Sequence, residues 1–381
     1  AVGNVVLVQK GQIINAKRIE YKEDGEKGGI SYTAIGEVVI KDSSRVATCG
    51  RAEYKRDIEK TILDIEPQLL DEHRILTGDK IILNYFEETL DKLHIPRKAY
   101  AKTPIGGYKK SSDDSTKFGE DLTFDDEMKG SSLSCYFIDG KLDSIILSGM
   151  AQTLYHVFED SVFKGKNNVS GDTINFSFLN EELYEIYVNG GSEGEYYPDS
   201  TSTKLDNPLF YSADKIHYNL INDRSSFTGN VNIIHHKTNL SAGYVDVNWE
   251  TNLLGALPRS DNDTLTEPIF PVIKEDGRDP MQGIEMTYNL STRKGKIKKG
   301  KTRADDGYYT GQKIKNESQE IYFIESSTYT TCDHDTAHYH FESNKMKIIQ
   351  DKMVVARPIV LHIGQIPIFG FPLGIFPHKN F

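Results

Sequence analysis

The chain is poor in the features from which a function is usually read. It has three cysteines in 381 residues, too few for a disulfide framework, and the odd number leaves at least one thiol unpaired within the chain. Positive charge is also short. Lys and Arg number 45 against 56 Asp and Glu, for a formal net charge of −11, and the acidic excess is spread along the chain. Such a balance excludes general nucleic-acid binding, which needs a basic footprint to neutralise phosphates.

Catalytic signatures are missing as well. The sequence holds no G-x-S-x-G, no H-E-x-x-H and no P-loop. The glycines of NGGSEGEYY (189–197) lack the strand-then-helix setting of a dinucleotide fingerprint and read as a turn. Carboxylates are abundant but scattered, without a pair that stands out as an acid/base couple. No catalytic residue and no cofactor are therefore expected.

Helical periodicity is scarce. RDIEKTILDI (56–65) is the one plausible helix, and its β-branched isoleucines suit a strand equally. The most apolar stretch, MVVARPIVLHIGQIPIFGFPLGIFP (353–377), is long enough for a membrane helix. Pro358, Pro367, Pro372 and Pro377 with three glycines would break it repeatedly, and Arg357 and His362 add cost. Extended strand and turn is the better reading. The chain opens inside a strand-like run, AVGNVVLV, without an initiator Met, and stops after FPLGIFPHKNF. Both ends read as cuts, so the lack of a targeting segment carries little weight.

What the sequence does have is period-two alternation. LTGDKIILNYFEETLDKLHI (76–95) sets Ile81, Leu83 and Tyr85 on one face and Lys80 and Asn84 on the other. MKGSSLSCYFIDGKLDSIIL (128–147) repeats this with Leu133, Cys135 and Phe137, and VSGDTINFSFLNEELYEIYV (169–188) with Ile174, Phe176 and Phe178. The three align without a gap, each with a glycine at its third position and a polar turn at Glu87-Glu88, Asp139-Gly140 or Asn180-Glu181. Alternation of this kind marks half-buried strands, and Asp-Gly is a favoured pair for a tight hairpin. A single hairpin cannot bury its own face, so repeated copies predict an all-β stack of antiparallel hairpins. A related phrase, G-[EN]-V-x-I, occurs at 36–40 and 229–233. Residues 1–257 are expected to hold these repeats, 258–283 (rich in Pro, Asp and Gly) a loop or linker, and 284–381 a continuation of the stack.

Two local clusters depart from the background. STYTTCDHDTAHYHF (327–341) gathers Cys332, His334, His338 and His340, residue types that zinc prefers. The C-x-H-x₃-H-x-H spacing is not a common structural zinc pattern, and no second half lies nearby. The cluster therefore reads as a metal-free polar turn between strands. RKGKIKKGKTR (293–303) carries seven basic residues in eleven. It reads as a solvated edge strand whose lysines guard against aggregation, with capture of an anionic head group as the sharper alternative.

The final hundred residues carry a resemblance. The succession from Y-T-T-C through a polar turn and a second strand to P-I-F-G-F-P resembles the segment of LptD/OstA-family lipopolysaccharide-assembly proteins that leads into their outer-membrane barrel. Upstream, L-T-G-D, V-S-G-D and G-N-V are similar to the OstA-like units shared by LptA and the periplasmic part of LptD. The resemblance implies an open β-jellyroll, or β-taco, at the periplasmic face of the outer membrane. It implies transport without bond making: acyl chains of lipopolysaccharide, or of a similar lipid, slide along an apolar groove toward a barrel. An LptA-like periplasmic bridge protein and an outer-membrane lipoprotein that partners the barrel are the implied companions. On this reading Ile81, Leu83, Tyr85, Leu133, Phe137, Ile174, Phe176 and Phe178 line the groove. Cys332 stands where family members carry a cysteine that pairs with one in the barrel. The rival expectation is a stacked-β surface or polysaccharide-binding module without lipid transport.

Overall fold

A computed structural model describes residues 1–377 apart from residues 10–11, 25–28, 43, 72, 111–117, 201, 203–204, 260–268, 305–306, 319, 335 and 351. Among the described residues the chain is built of antiparallel strands, with one short 3₁₀ turn at Arg56–Ile58. Among the described residues no helix is long and apolar enough to cross a membrane. The RDIEKTILDI segment resolves into that turn followed by the strand Lys60–Asp64. Residues 353–377 form four short strands.

The chain divides into two compact units, Ala1–Ser202 with His217–Ile221, and Thr203–Ile216 with Asn222–Phe381. The divide expected at 258–283 is thereby corrected. Within that span Val272–Glu275 pairs with Thr238–Asn248 and with Met281–Gln282, so these residues are part of the second unit's sheet. Proline and glycine there mark turns between short strands. Residues 260–268 lie outside the described residues.

In the first unit, Val2–Gln9, Gln12–Asp24, Gly29–Lys41 and Arg45–Lys55 follow one another as an antiparallel meander. The last of these then forks. Its residues 51–55 pair with Lys60–Asp64, and its residues 45–48 with Gln68–Asp71. One ladder continues through Lys80–Phe86, Thr89–Ile95 and Ser132–Ile138. The other continues through Arg74–Thr77, Ala99–Lys110 and Phe118–Gly130. The long strands Lys141–Glu159, Val162–Leu179 and Glu182–Pro198 run through both, bending between them. The two faces look at each other: the Arg45 guanidinium on one lies 5.7 Å from the ring centroid of Phe137 on the other.

Glycine makes the bend. Gly36-Glu37, Gly149-Met150, Gly190-Gly191 and, in the second unit, Gly229-Asn230 each hold two successive residues at positive φ, where the ladder register shifts. Glycine enters that region without a Cβ penalty, and a bulge sharpens the local twist. This explains the G-[EN]-V-x-I phrase as a corner. The third-position glycines serve differently: a Cβ on Gly78, Gly130 or Gly171 would lie 2.3–2.9 Å from Ile95, Leu147 or Val188 respectively. The hairpin turns lie at Glu87-Glu88, Asp139-Gly140 and Asn180-Glu181, all with positive φ, as a two-residue turn of primed type requires.

The second unit forks in the same manner. Thr238–Asn248 pairs with Leu253–Leu257 over one half and with Val272–Glu275 over the other. Gly295–Ala304, which contains most of the basic run, is bonded on both sides, to Glu285–Asn289 and Met281–Gln282 on one and to Gly307–Ser318 on the other. The edge-strand reading is thus corrected. Its lysines are outward-facing members of an interior strand, with Ile297 buried between them. Lys296 stands opposite Lys315 and Lys298 opposite Lys313, so carboxylates must intervene. Lys294 and Lys315 together hold the Glu317 carboxyl down at about 2, and Lys298 donates to Glu285 at 3.1 Å.

Candidate functional site: an apolar cavity at the N-terminal end

The interior of the first unit is set by cross-strand rows. One runs Thr61, Leu83, Leu93, Cys135, Ile145, Phe176, Ile186, each opposite the next. A second runs Ile95, Leu133, Leu147, Ile174, Val188. The facing side sets Leu69 and Leu76 among smaller groups, Ala99, Ala101, Ala151, Val169 and Ser192, all buried. Large side chains set against small ones let the faces approach, and the middle of the unit is closed.

Toward the N-terminal end the taper reverses. Ala34 lies opposite Ala52, and Ala47 lies opposite Ile40 and Leu69. These alanines do not fill the gap beneath Leu63 and Leu83, and a cavity of about 170 Å³ remains. Leu7, Ile14, Ile19, Leu63, Leu69 and Leu83 give it an apolar wall.

Polar groups gather at its margin. Tyr32 and Tyr54 stack with ring centroids 6.5 Å apart. Burial pushes the Tyr85 phenol up, against hydrogen bonds from Thr61 and Gln12. Arg45 Nε donates to Asp71 Oδ1 at 2.8 Å, and its guanidinium lies 5.7 Å from the Phe137 ring centroid. The Asp42 carboxylate accepts from the backbone N–H groups of Ser44 and Arg45. A mostly apolar hollow with a few placed polar groups is the usual form of a ligand site.

Of the eight residues predicted to line a groove, Leu83 and Tyr85 line this cavity. Ile81, Leu133, Phe137, Ile174 and Phe176 are buried in the closed interior beyond it, and Phe178 is half-buried. The alternation located the inward face but carried no information on where the faces separate. That was written in the alanines at 34, 47 and 52, which the repeats do not share.

No acid/base couple stood out along the chain, yet the fold joins one. Asp126 Oδ1 accepts from the His156 backbone N–H at 2.8 Å and lies 2.8 Å from its ring Nδ1. The His156 ring stacks on Phe124 at 4.3 Å, and burial raises the Asp126 carboxyl against the pull of His156. This pair ties Phe118–Gly130 to Lys141–Glu159 and reads as structural.

All three cysteines are free. Burial pushes the Cys135 thiol up to about 12 and the Cys49 thiol up to about 11, whereas Cys332 is half-exposed in the turn after Ile321–Thr330. Since the thiolate is the reactive form, a thiol reagent at pH 8 is expected to modify Cys332 quickly. Cys49 and Cys135 should react only on unfolding. Rapid modification of Cys135 in the native chain, with Cys332 protected, would reverse this assignment.

The cavity's lining lies wholly between Leu7 and Glu88, and comparison with known proteins singles out that span. Residues 1–89 match the family model of the LptA/(LptD N-terminal domain) LPS transport proteins. No curated protein matches the sequence. Among solved structures the chain is similar to LptH, the LptA-homologous periplasmic component of the lipopolysaccharide transport device of Pseudomonas aeruginosa. That similarity has a TM-score of 0.30 at 9% identity, covers 39% of this chain and 93% of LptH, and adds nothing to the fold described above. The LptA/LptD N-terminal match covers the whole cavity, and the family it names is one of transport proteins.

Proposed function

We propose that this chain is a periplasmic lipid-carrying component of lipopolysaccharide transport, and that its N-terminal cavity receives the end of an acyl chain. The observation that carries the reading is the coincidence of the apolar cavity with the family-matched segment. The size suits an acyl tip rather than a whole lipid: an apolar void of about 150 Å³ accommodates a benzene-sized ligand. Each methylene withdrawn from water contributes about 0.8 kcal/mol, without any specific polar contact. The row from Leu83 through Cys135 to Phe176 then offers a continuous apolar path, along which the chain advances as the two faces part.

The eight inward residues are lining positions of that path, with Leu83 and Tyr85 at its entrance. The exposed apolar side chains at the C-terminal end, among them Ile366, Ile368, Phe369, Phe371 and Ile375, support delivery to an apolar body such as a barrel. Cys332 is the proposed link to it. The partners on this reading are an LptA-like bridge protein and the barrel's lipoprotein.

Calorimetric titration of the purified chain tests the class of ligand. Acylated lipopolysaccharide is expected to bind, and its de-acylated polysaccharide is expected to give no heat. Equal binding of both, or of the polysaccharide alone, would remove the lipid reading and leave a polysaccharide-binding module.

A further inference from the structure

The histidine-rich cluster is divided by the fold, and one part of it acquires new neighbours. Cys332 Sγ lies 3.4 Å from His338 Nδ1, and the His334 and His338 rings meet edge-on at 4.7 Å. His340 belongs to a different group. It is the second residue of the strand Tyr339–Ile349, directly opposite His362 of Ile359–Ile363. The two rings are parallel within 5° at 4.9 Å. Two residues along, on the same face, Glu342 places Oε2 3.6 Å from His362 Nε2. One ligand-type atom from each of His340, Glu342 and His362 lies within 4.8 Å of the others, the sole such group among the described residues.

We infer that His340, Glu342 and His362 form a binding site for one divalent transition-metal ion of the zinc class. Two imidazoles with one carboxylate are a borderline donor set, which suits zinc, nickel or copper rather than calcium or magnesium. Zinc bonds of about 2.0–2.2 Å put tetrahedral ligand atoms roughly 3.4 Å apart, so rotamer-scale movement closes the group. Strand pairing brings the two histidines together before any ion arrives, and the period-two geometry adds the carboxylate. His362 shows a further sign: its Nδ1 is buried without a hydrogen-bond partner. An imidazole left so is an unrelieved cost, which a cation held by Nδ1 itself would relieve. The bound ion would clamp Tyr339–Ile349 to Ile359–Ile363.

The inference is independent of the lipid reading. It also bears on the expectation of a metal-free turn, for it assigns the ion to His340 with residues outside that turn.

The full chain, stripped with chelator and titrated with zinc chloride against a colorimetric competitor, tests it. One ion per chain is expected. His340→Ala, His362→Ala and Glu342→Gln each remove a ligand and should weaken binding by at least the roughly 10–100-fold that loss of a ligand-orienting partner costs. His334→Ala, His338→Ala and Cys332→Ala should leave it unchanged. Glu342 is exposed and His340 and His362 are half-buried, and circular dichroism should show the same fold in every variant. Zinc should raise the melting temperature of the parent chain but not of His362→Ala. Cobalt in place of zinc should give visible bands without a thiolate charge-transfer band. Failure to retain stoichiometric zinc, loss of binding in His338→Ala, or a thiolate band from Cys332 would overturn the site.

Discussion

Replacing Ile174 by alanine is expected to lower the stability of the first unit by about 2–5 kcal/mol, the range for removing a large aliphatic group from a closed core. Ile174 is 0% exposed and sits between Leu147 and Val188 in the second cross-strand row. The glycine at 171 brings Val188 to within 2.7 Å of where a Cβ would stand, so the strands cannot draw closer to close the void. Leu179, five residues on and 57% exposed, is the control, and its replacement by alanine should cost within about 0.5 kcal/mol. Urea unfolding followed by circular dichroism separates the two. A cost below about 1 kcal/mol at Ile174 would mean that the faces are already parted there, and that the cavity extends inward past Leu83.

The second large effect is expected at the cavity itself. Ala52 lines it and is 5% exposed. Ala52→Phe fills space that is empty in the native chain. It should leave the far-UV spectrum intact while excluding acyl carbons. Losing room for only two methylenes costs about 1.6 kcal/mol, a more than tenfold loss of lipid affinity. The same substitution at Ala256, fully buried in the second unit, should disturb packing there without touching lipid binding. Unchanged lipid affinity in Ala52→Phe, with the fold intact, would show that acyl chains do not enter between Leu63, Leu83 and the alanines.

Much of the fold was legible because it depends on local pattern. Alternation at 80–86, 132–138 and 173–179 fixes which side chains turn inward, and the turn pairs fix where each hairpin reverses. The corners were visible as glycine phrases, but their meaning was not. A left-handed pair at Gly36-Glu37 and a close approach at Gly78 look alike as letters and differ only in what stands opposite. Long-range pairing was less accessible. That Arg45–Lys55 forks, and that Gly295–Ala304 is interior rather than edge, depends on partners distant in sequence. The candidate sites divide on the same line. Leu83 and Tyr85 were readable as inward positions, whereas the cavity needed the alanines of two earlier strands. His362, set in an apolar run, gave no hint that it faces His340.

On the proposed function, acyl chains enter at the N-terminal cavity and travel on the inward row. Site-specific photo-crosslinking in cells tests it most directly, with the photoreactive residue at Leu83 and Phe176 on the inward face and at Asn84 and Ser177 on the outward face. Lipopolysaccharide adducts are expected at Leu83 and, where the faces part during passage, at Phe176, with none at Asn84 or Ser177. Equal adducts at inward and outward positions, or none at Leu83, would contradict it.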